Sequence, residues 1–238
     1  MPSANQKLAV LIDADNAQAS IVQELMAEVS RHGTASVKRA YGDWTTTNLR
    51  GWKDVLHKMA IQPIQQFGYT TGKNSTDSSL IIDAMDLLHS GHLDGFCLVS
   101  SDSDFTRLAT RIREAGLVVY GFGERKTATA FVAACDQFVY TEILRPQPSS
   151  AGPEDQSLEP LEPMIRIAVN ATARDTGWAA LSAVGSMLVK NSPSFDARNY
   201  GWQKLGELVR KQSYLEVKEV STSDGSTHVH VHVRLKSG

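Results

Sequence analysis

Short apolar runs alternate with amphipathic segments through the first 144 residues of this 238-residue chain. Six of the runs are rich in Val, Ile, Leu, Phe and Tyr and predict β-strands, and most of the segments between them have helical spacing. The strand candidates read KLAVLI, ASVKRAY, IQPIQQF, GFCLVS, LVVYGF and FVYTEI. Continuously apolar strands that alternate with helices are typical of a parallel sheet covered on both faces. The pattern therefore predicts an α/β, Rossmann-like domain over residues 1–144.

The pattern changes after residue 144. Residues 145–160 are rich in Pro, Ser and Glu. They cannot bury apolar surface and are interpreted as a linker. Residues 161–238 hold three helical segments, followed by two strand-like segments about the turn Ser-Asp-Gly-Ser. Three helices before a hairpin are the layout of a winged helix-turn-helix, so we expect a second, smaller domain of that kind.

Composition narrows the classes of function. The formal charge of −2 excludes a strong overall attraction for nucleic acid but leaves room for a local basic patch. The two cysteines, Cys97 and Cys135, have apolar neighbours and no metal-ligand spacing, which favours a reducing compartment. The N-terminus lacks the apolar core of a signal peptide, and no run approaches the length of a membrane span. We expect a soluble, cytoplasmic protein with no membrane contact.

Four aspartates are the strongest candidates for chemistry. Asp13 ends the first apolar run, and Asp102 and Asp104 follow the fourth. Asp77 opens a helix and, at 100° per residue, points to the same side as the apolar residues of that helix. The carboxyl ends of parallel strands face one crevice, where gathered carboxylates repel one another unless a cation joins them. Oxygen ligands without His or Cys favour Mg²⁺ or Mn²⁺.

Helix capping is the alternative for these aspartates, since Asp and Asn are favoured at N-terminal turns. Asn16, placed at the start of the first helix, could be a cap, could orient Asp13, or could contact a scissile phosphate. Asp15 and Asp83 are assigned supporting roles, as a solvated neighbour and as a residue at the edge of the inward helix face. A metal held here would activate a water and stabilise charge at phosphorus, so phosphodiester hydrolysis is the predicted reaction.

Cationic and aromatic residues near the predicted site are candidates for contact with the substrate. With Asn16, they are Arg39, Lys73, Arg107, Arg125, Lys126 and Trp44. Solvated surface charge is the alternative for each cation. Trp44 follows a strand and could stack on a base, an interaction that contributes about 1–3 kcal/mol.

Residues 7–142 resemble the NYN domain family, a LabA-like branch of the PIN-like nucleases. The opening Asp-x-x-Asn of that family is similar to Asp13–Asn16, its helix-initial Asp to Asp77, and its Ser-x-Asp-x-Asp-Phe stretch to Ser100–Phe105. The resemblance implies a PIN-like fold and RNA cleavage. It also implies that Asp13, Asp77, Asp102 and Asp104 hold a divalent metal.

Residues from about 161 to 236 resemble the OST-HTH domain, also called LOTUS. The similarity includes Gly177–Trp178, Val184–Gly185 and Tyr200–Gly201, which are mostly core positions and therefore identify the fold rather than a ligand. The resemblance implies binding of RNA or of protein, and its pairing with a NYN domain points to RNA.

The sequence therefore predicts a metal-dependent ribonuclease, expected to be an endonuclease, with an RNA-binding winged helix. One alternative is a non-catalytic RNA-binding or adaptor protein with the same two domains. Another is a phospho-acceptor receiver-like domain, which is disfavoured because no acidic residue follows the third strand. The RNA substrate and the oligomeric state are not specified by these patterns.

Overall fold

The computed structural model describes residues 6–67, 75–145, 158–221 and 229–236. The chain divides into two compact units, Met1–Gln147 and Pro148–Gly238. Three features of the sequence interpretation lie outside the described residues: Lys73, most of the linker assigned to 145–160, and the turn Ser-Asp-Gly-Ser.

The first unit is built on a six-stranded parallel sheet in the order β3-β2-β1-β4-β5-β6. The strands are β1 (Lys7–Asp13), β2 (Thr34–Gly42), β3 (Gln62–Gln65), β4 (Gly95–Val99), β5 (Val118–Gly123) and β6 (Gln137–Tyr140). The helices are α1 (Val22–Val29), α2 (Trp52–Met59), α3 (Ser75–His89), α4 (Thr106–Glu114) and α5 (Thr129–Ala134). The predicted α/β, PIN-like fold is confirmed.

The sheet is covered on both faces, which explains why its central strands are apolar throughout. Alternate residues of β1 point to opposite sides of the sheet. Ala9 and Leu11 belong to a core cluster with residues of α3, α4 and α5, whereas Val10 and Ile12 pack with residues of α1 and α2. A strand buried in this way carries apolar residues on both faces, and the buried stretch of β1 ends at Asp13.

Strand order reverses between β1 and β4. The chain moves outward from β1 to β2 and β3, then crosses back to β4 and continues outward to β5 and β6. In open α/β sheets, the crevice at such a reversal is where ligands bind. Asp13 is the last residue of β1, and Ser100 follows the last residue of β4, so the two flank this crevice.

The second unit is a winged helix. Its elements are α6 (Leu161–Thr172), β7 (Ala179–Ala180), α7 (Leu181–Asn191), α8 (Leu205–Arg210), β8 (Leu215–Ser221) and β9 (Val229–Leu235). The three helices and the hairpin match the predicted layout. The sequence interpretation missed β7, which pairs antiparallel with β9 and is too short to show an alternating pattern. Across the described parts of the chain, no helix is long and apolar enough to span a membrane.

Candidate metal centre

Three of the four candidate aspartates come together at the crevice between β1 and β4. One carboxylate oxygen from each of Asp77, Asp102 and Asp104 lies within 4.8 Å of the other two. They arrive from two elements, the first turn of α3 and the turn that joins β4 to α4. Three carboxylate oxygens at this spacing can coordinate one hard cation.

Asp13 lies at the end of β1, outside that group of three, and is completely buried. Its Oδ2 accepts hydrogen bonds from Asn16 Nδ2 at 2.7 Å and from Ser100 Oγ at 2.8 Å. Its Oδ1 is buried and has no hydrogen-bond partner among the described residues. Burial raises the pKa of this carboxyl group, and the two hydrogen bonds only partly oppose the shift. A buried carboxylate oxygen without a partner costs free energy unless a cation or a donor joins it.

Asp77 shares the inward face of α3 with Leu80 and Ala84, and only 9% of it is exposed. Burial raises the pKa of its carboxyl group to about 6, and the negative charges of Asp13 and Asp102 add to the shift, followed by smaller effects of Asp104 and Asp15. Each of these four neighbouring charges is negative. A cation would reverse the sign of this local field.

Asp102 serves both as a cap and as a member of the cluster. It precedes a 3₁₀ turn, Ser103–Phe105, and its Oδ1 accepts a hydrogen bond from the backbone N–H of Asp104 at 2.9 Å. Phe105, the last residue of this turn, is buried in the core and holds the turn against it. Capping and clustering are compatible here, because the cap uses one oxygen and a carboxylate offers several lone pairs.

Ser100 is a site residue to which the sequence interpretation gave no role. Its hydroxyl donates to Asp13 and also accepts from the backbone N–H of Asp102 at 3.1 Å. It therefore links the ends of β1 and β4 across the crevice. A signal was present, since a serine ends an otherwise apolar strand and is buried there.

Asn16 does not cap the first helix, contrary to its predicted place at the start of that helix. The helix α1 begins at Val22, after a 3₁₀ turn at Ala19–Ile21. Asn16 instead lies in the turn after β1 and donates to Asp13, which is the orienting role among the three considered. The local turn comes first because the backbone N–H of Ala17 bonds to the carbonyl of Asp13.

The candidate cations are partly engaged with other residues. Lys126 pairs with Glu124 at 2.7 Å, and the Arg125 guanidinium lies over the Tyr140 ring, 5.7 Å from its centroid. Arg107 in the first turn of α4 is 79% exposed, with a pair to Glu114 at 3.5 Å. Lys73 lies outside the described residues. Arg125 and Lys126 follow β5, next to β4, so they lie at the carboxyl edge of the sheet.

The remaining acidic neighbours differ from one another. Asp15 is exposed and accepts a hydrogen bond from Thr76 Oγ1 at 3.0 Å. Asp83 does not join the group of three oxygens: its carboxylate pairs with the Arg39 guanidinium at 2.6 Å and accepts a hydrogen bond from the Tyr41 hydroxyl. Both of its oxygens are therefore engaged by residues of β2.

The sequence matches two family models. The model of the NYN domain matches residues 7–144, and the model of the OST-HTH/LOTUS domain matches residues 156–227. No curated protein matches the chain.

Solved structures resemble parts of the chain. A protein of unknown function from Vibrio parahaemolyticus is 19% identical with a TM-score of 0.49, over 59% of this chain and 95% of that one. An uncharacterised protein from Nitrosomonas europaea is 33% identical with a TM-score of 0.32, over 40% and 89%. A protein fragment from Chromobacterium violaceum is 46% identical with a TM-score of 0.26, over 35% and 84%.

Proposed function

The chain belongs to the NYN domain family and carries an OST-HTH/LOTUS domain behind its nuclease-like domain, and on that premise we propose that it is a divalent-metal-dependent ribonuclease. The observation that carries the proposal is the group of carboxylate oxygens from Asp77, Asp102 and Asp104 within 4.8 Å of one another. It lies at the reversal of strand order, where α/β sheets bind ligands. The match over residues 7–144 favours this fold over a receiver-like domain.

The residues present fit a divalent cation. Asp13 Oδ1 is a buried acceptor without a described partner, and the carboxyl group of Asp77 has a pKa raised to about 6 among negative neighbours. A set made only of oxygens suits Mg²⁺ or Mn²⁺ better than Zn²⁺. When bound, such an ion would supply an activated water and neutralise the charge that develops at phosphorus.

The chain's own contribution is positioning and electrostatics. Asp13, Asp77, Asp102 and Asp104 would hold the ion, and Asn16 and Ser100 fix the orientation of the Asp13 carboxylate through its Oδ2. Hydrogen bonds of this kind to a ligating carboxylate tune its position and basicity. No covalent nucleophile is needed for this reaction.

RNA contacts at the rim are the second part of the proposal. Arg107 lies in the first turn of α4, and Arg125 and Lys126 lie in the turn after β5, at the carboxyl edge of the sheet. Lys73 and Trp44 are further candidates. The winged helix would hold RNA as well, and binding of a protein through that domain is the alternative. We further propose that cleavage is internal and that the protein acts in the cytoplasm.

Incubation of labelled single-stranded RNA with Mg²⁺ or Mn²⁺ tests this function. The intact protein should cleave, EDTA should stop cleavage, and Asp102→Asn should lower the rate at least about 100-fold, because loss of a ligand exceeds the usual effect of removing its supporting partner. Asp86→Asn is the matched control, since Asp86 is exposed on α3. A circular RNA that becomes linear would show internal cleavage.

Equal cleavage by the intact protein and by Asp102→Asn would mean contamination and would end the proposal. If neither protein cleaves but both retard RNA in a gel, the chain is a non-catalytic RNA-binding or adaptor protein.

A further inference from the structure

A groove of about 820 Å³ runs along the side of the first unit, between α2 and the edge strand β3. Its floor is apolar and is formed by Leu49, Leu56, Ile61 and Pro63. Trp44 also lines the groove. Its rim carries Arg50, Lys53 and His57. None of these three residues is a candidate of the metal centre.

These three residues form a single row. Arg50, Lys53 and His57 are three and four residues apart in a helical stretch and therefore lie on one side of it. At a rise of 1.5 Å per residue, the row is about 10 Å long. All three side chains are exposed, and none has an ion pair among the described residues. The exposed positive charges of Arg50 and Lys53 in this row attract a polyanion.

Trp44 adds an aromatic surface with a fixed orientation. Its indole N–H donates to the Ile64 carbonyl at 2.9 Å, and its ring meets Trp52 edge to face at 6.3 Å. The ring lines the groove while held by these contacts. Proteins bind single-stranded nucleic acid with cations that contact its backbone and aromatic side chains that stack on its bases.

Gly42, at the end of β2, lies near both the groove and the surroundings of the metal centre. Thr76, next to Asp77, donates to Asp15, and a Cβ at Gly42 would lie 3.4 Å from the Asp15 carboxylate. Gly42 ends β2, two residues before Trp44, and the same Cβ would collide with Leu49 of the groove floor at 2.6 Å. The groove and the acidic neighbours of the metal centre therefore both adjoin the end of β2.

From these observations we infer that the groove beside α2 binds a segment of single-stranded RNA next to the nucleotides at the metal centre. The apolar floor and Trp44 accept bases, and Arg50 and Lys53 contact phosphates. The inference rests on the proposed function for the identity of the polyanion. It assigns part of substrate affinity to a region that takes no part in the reaction.

The test uses the full chain with Asp102→Asn to prevent cleavage, and a fluorescent twelve-nucleotide oligouridylate read by anisotropy over a range of salt concentrations. Lys53→Glu should weaken binding at least about fivefold and lower the slope of log affinity against log salt by about 0.7, as expected for one lost phosphate contact to a single strand. Lys58→Glu, on the same helix and exposed but away from the groove, should change affinity less than about twofold. Thermal unfolding followed by circular dichroism checks that both variants are folded.

Equal affinities for Lys53→Glu and Lys58→Glu would overturn the inference. So would selective binding of an acidic, leucine-containing peptide that depends on Lys53 while RNA affinity does not. Because the binding assay needs no cleavage, the two proposals can fail separately. A chain that shows the Lys53 effect but never cleaves refutes the nuclease, and one that cleaves without the Lys53 effect refutes the groove.

Discussion

Two aspartates on α3 lie six residues, or about 9 Å along the helix axis, apart and have opposite surroundings. Asp83 meets a guanidinium and a phenol, from Arg39 and Tyr41. Asp77 lies near the carboxylates of Asp13 and Asp102, and burial together with these negative charges raises its pKa to about 6. On the same helix, the charge of Asp83 is therefore neutralised, whereas Asp77 lies in a negative field.

The difference separates a structural carboxylate from a candidate functional one. The Asp83 pair ties α3 to β2 and leaves neither charge isolated, as partly buried pairs require. Repulsion among the carboxylates of the Asp77 cluster does not stabilise the fold. Titratable groups with strongly shifted pKa values that lie together in a crevice are typical of functional sites. Three substitutions test how far this contrast extends.

The largest expected effect is on cleavage. Asp77→Asn should lower kcat/KM for labelled RNA at least about 100-fold, because it removes a proposed metal ligand. Asp83→Asn should lower it less than about fivefold, because both Asp83 oxygens are engaged by β2 rather than by the site. Equal losses for the two variants would place Asp83 in the reaction and remove the contrast.

The next effect is on stability. Asp83→Asn should lower the free energy of unfolding by about 2 kcal/mol, because Arg39 then keeps a partly buried charge without a partner. Urea unfolding followed by circular dichroism measures the change. Asp86→Asn, an exposed position of the same helix, should remain within about 0.5 kcal/mol of the parent protein. A loss at Asp86 as large as at Asp83 would mean that helix charge, and not the ion pair, is responsible.

The smallest effect has the opposite sign. Without divalent cations, Asp77→Asn should raise the free energy of unfolding at pH 7.5 by about 1 kcal/mol, because screening by water reduces the roughly 3 kcal/mol that the pKa difference alone implies. Burial and the neighbouring negative charges raise the pKa of this carboxyl group from its ordinary value of 3.8 to about 6 in the folded protein. Its ionisation therefore destabilises the protein as the pH rises through this range, and the gain from Asn should vanish as the pH falls from 6 to 4.

Addition of Mg²⁺ should cancel the same gain at pH 7.5, because an ion that binds only the native site stabilises the parent protein and not the variant. Urea unfolding at each pH, with EDTA or with Mg²⁺, measures both effects. A gain that is independent of pH would show that packing, rather than charge, distinguishes Asp77 from its replacement.

Helical period and strand composition were sufficient to predict much of the fold of the first unit. The position of Asp77 among inward residues follows from 100° per residue, and the structure places it with Leu80 and Ala84 on the buried face. The same geometry put Asp83 at the edge of that face, but it could not show that Arg39 and Tyr41 of β2 take up its carboxylate. Partners on another element have no periodic signature.

The sequence by itself determined the element types, the fold class, the two family matches and the residues worth testing, because these depend on local periodicity and on short motifs. Only the tertiary structure decided which of those residues meet. The reversal of strand order between β1 and β4 brings Asp102 to α3, Ser100 to Asp13, and leaves Asp13 Oδ1 buried without a described partner. Distances between segments far apart in the chain are set by strand order and packing, which no local pattern contains.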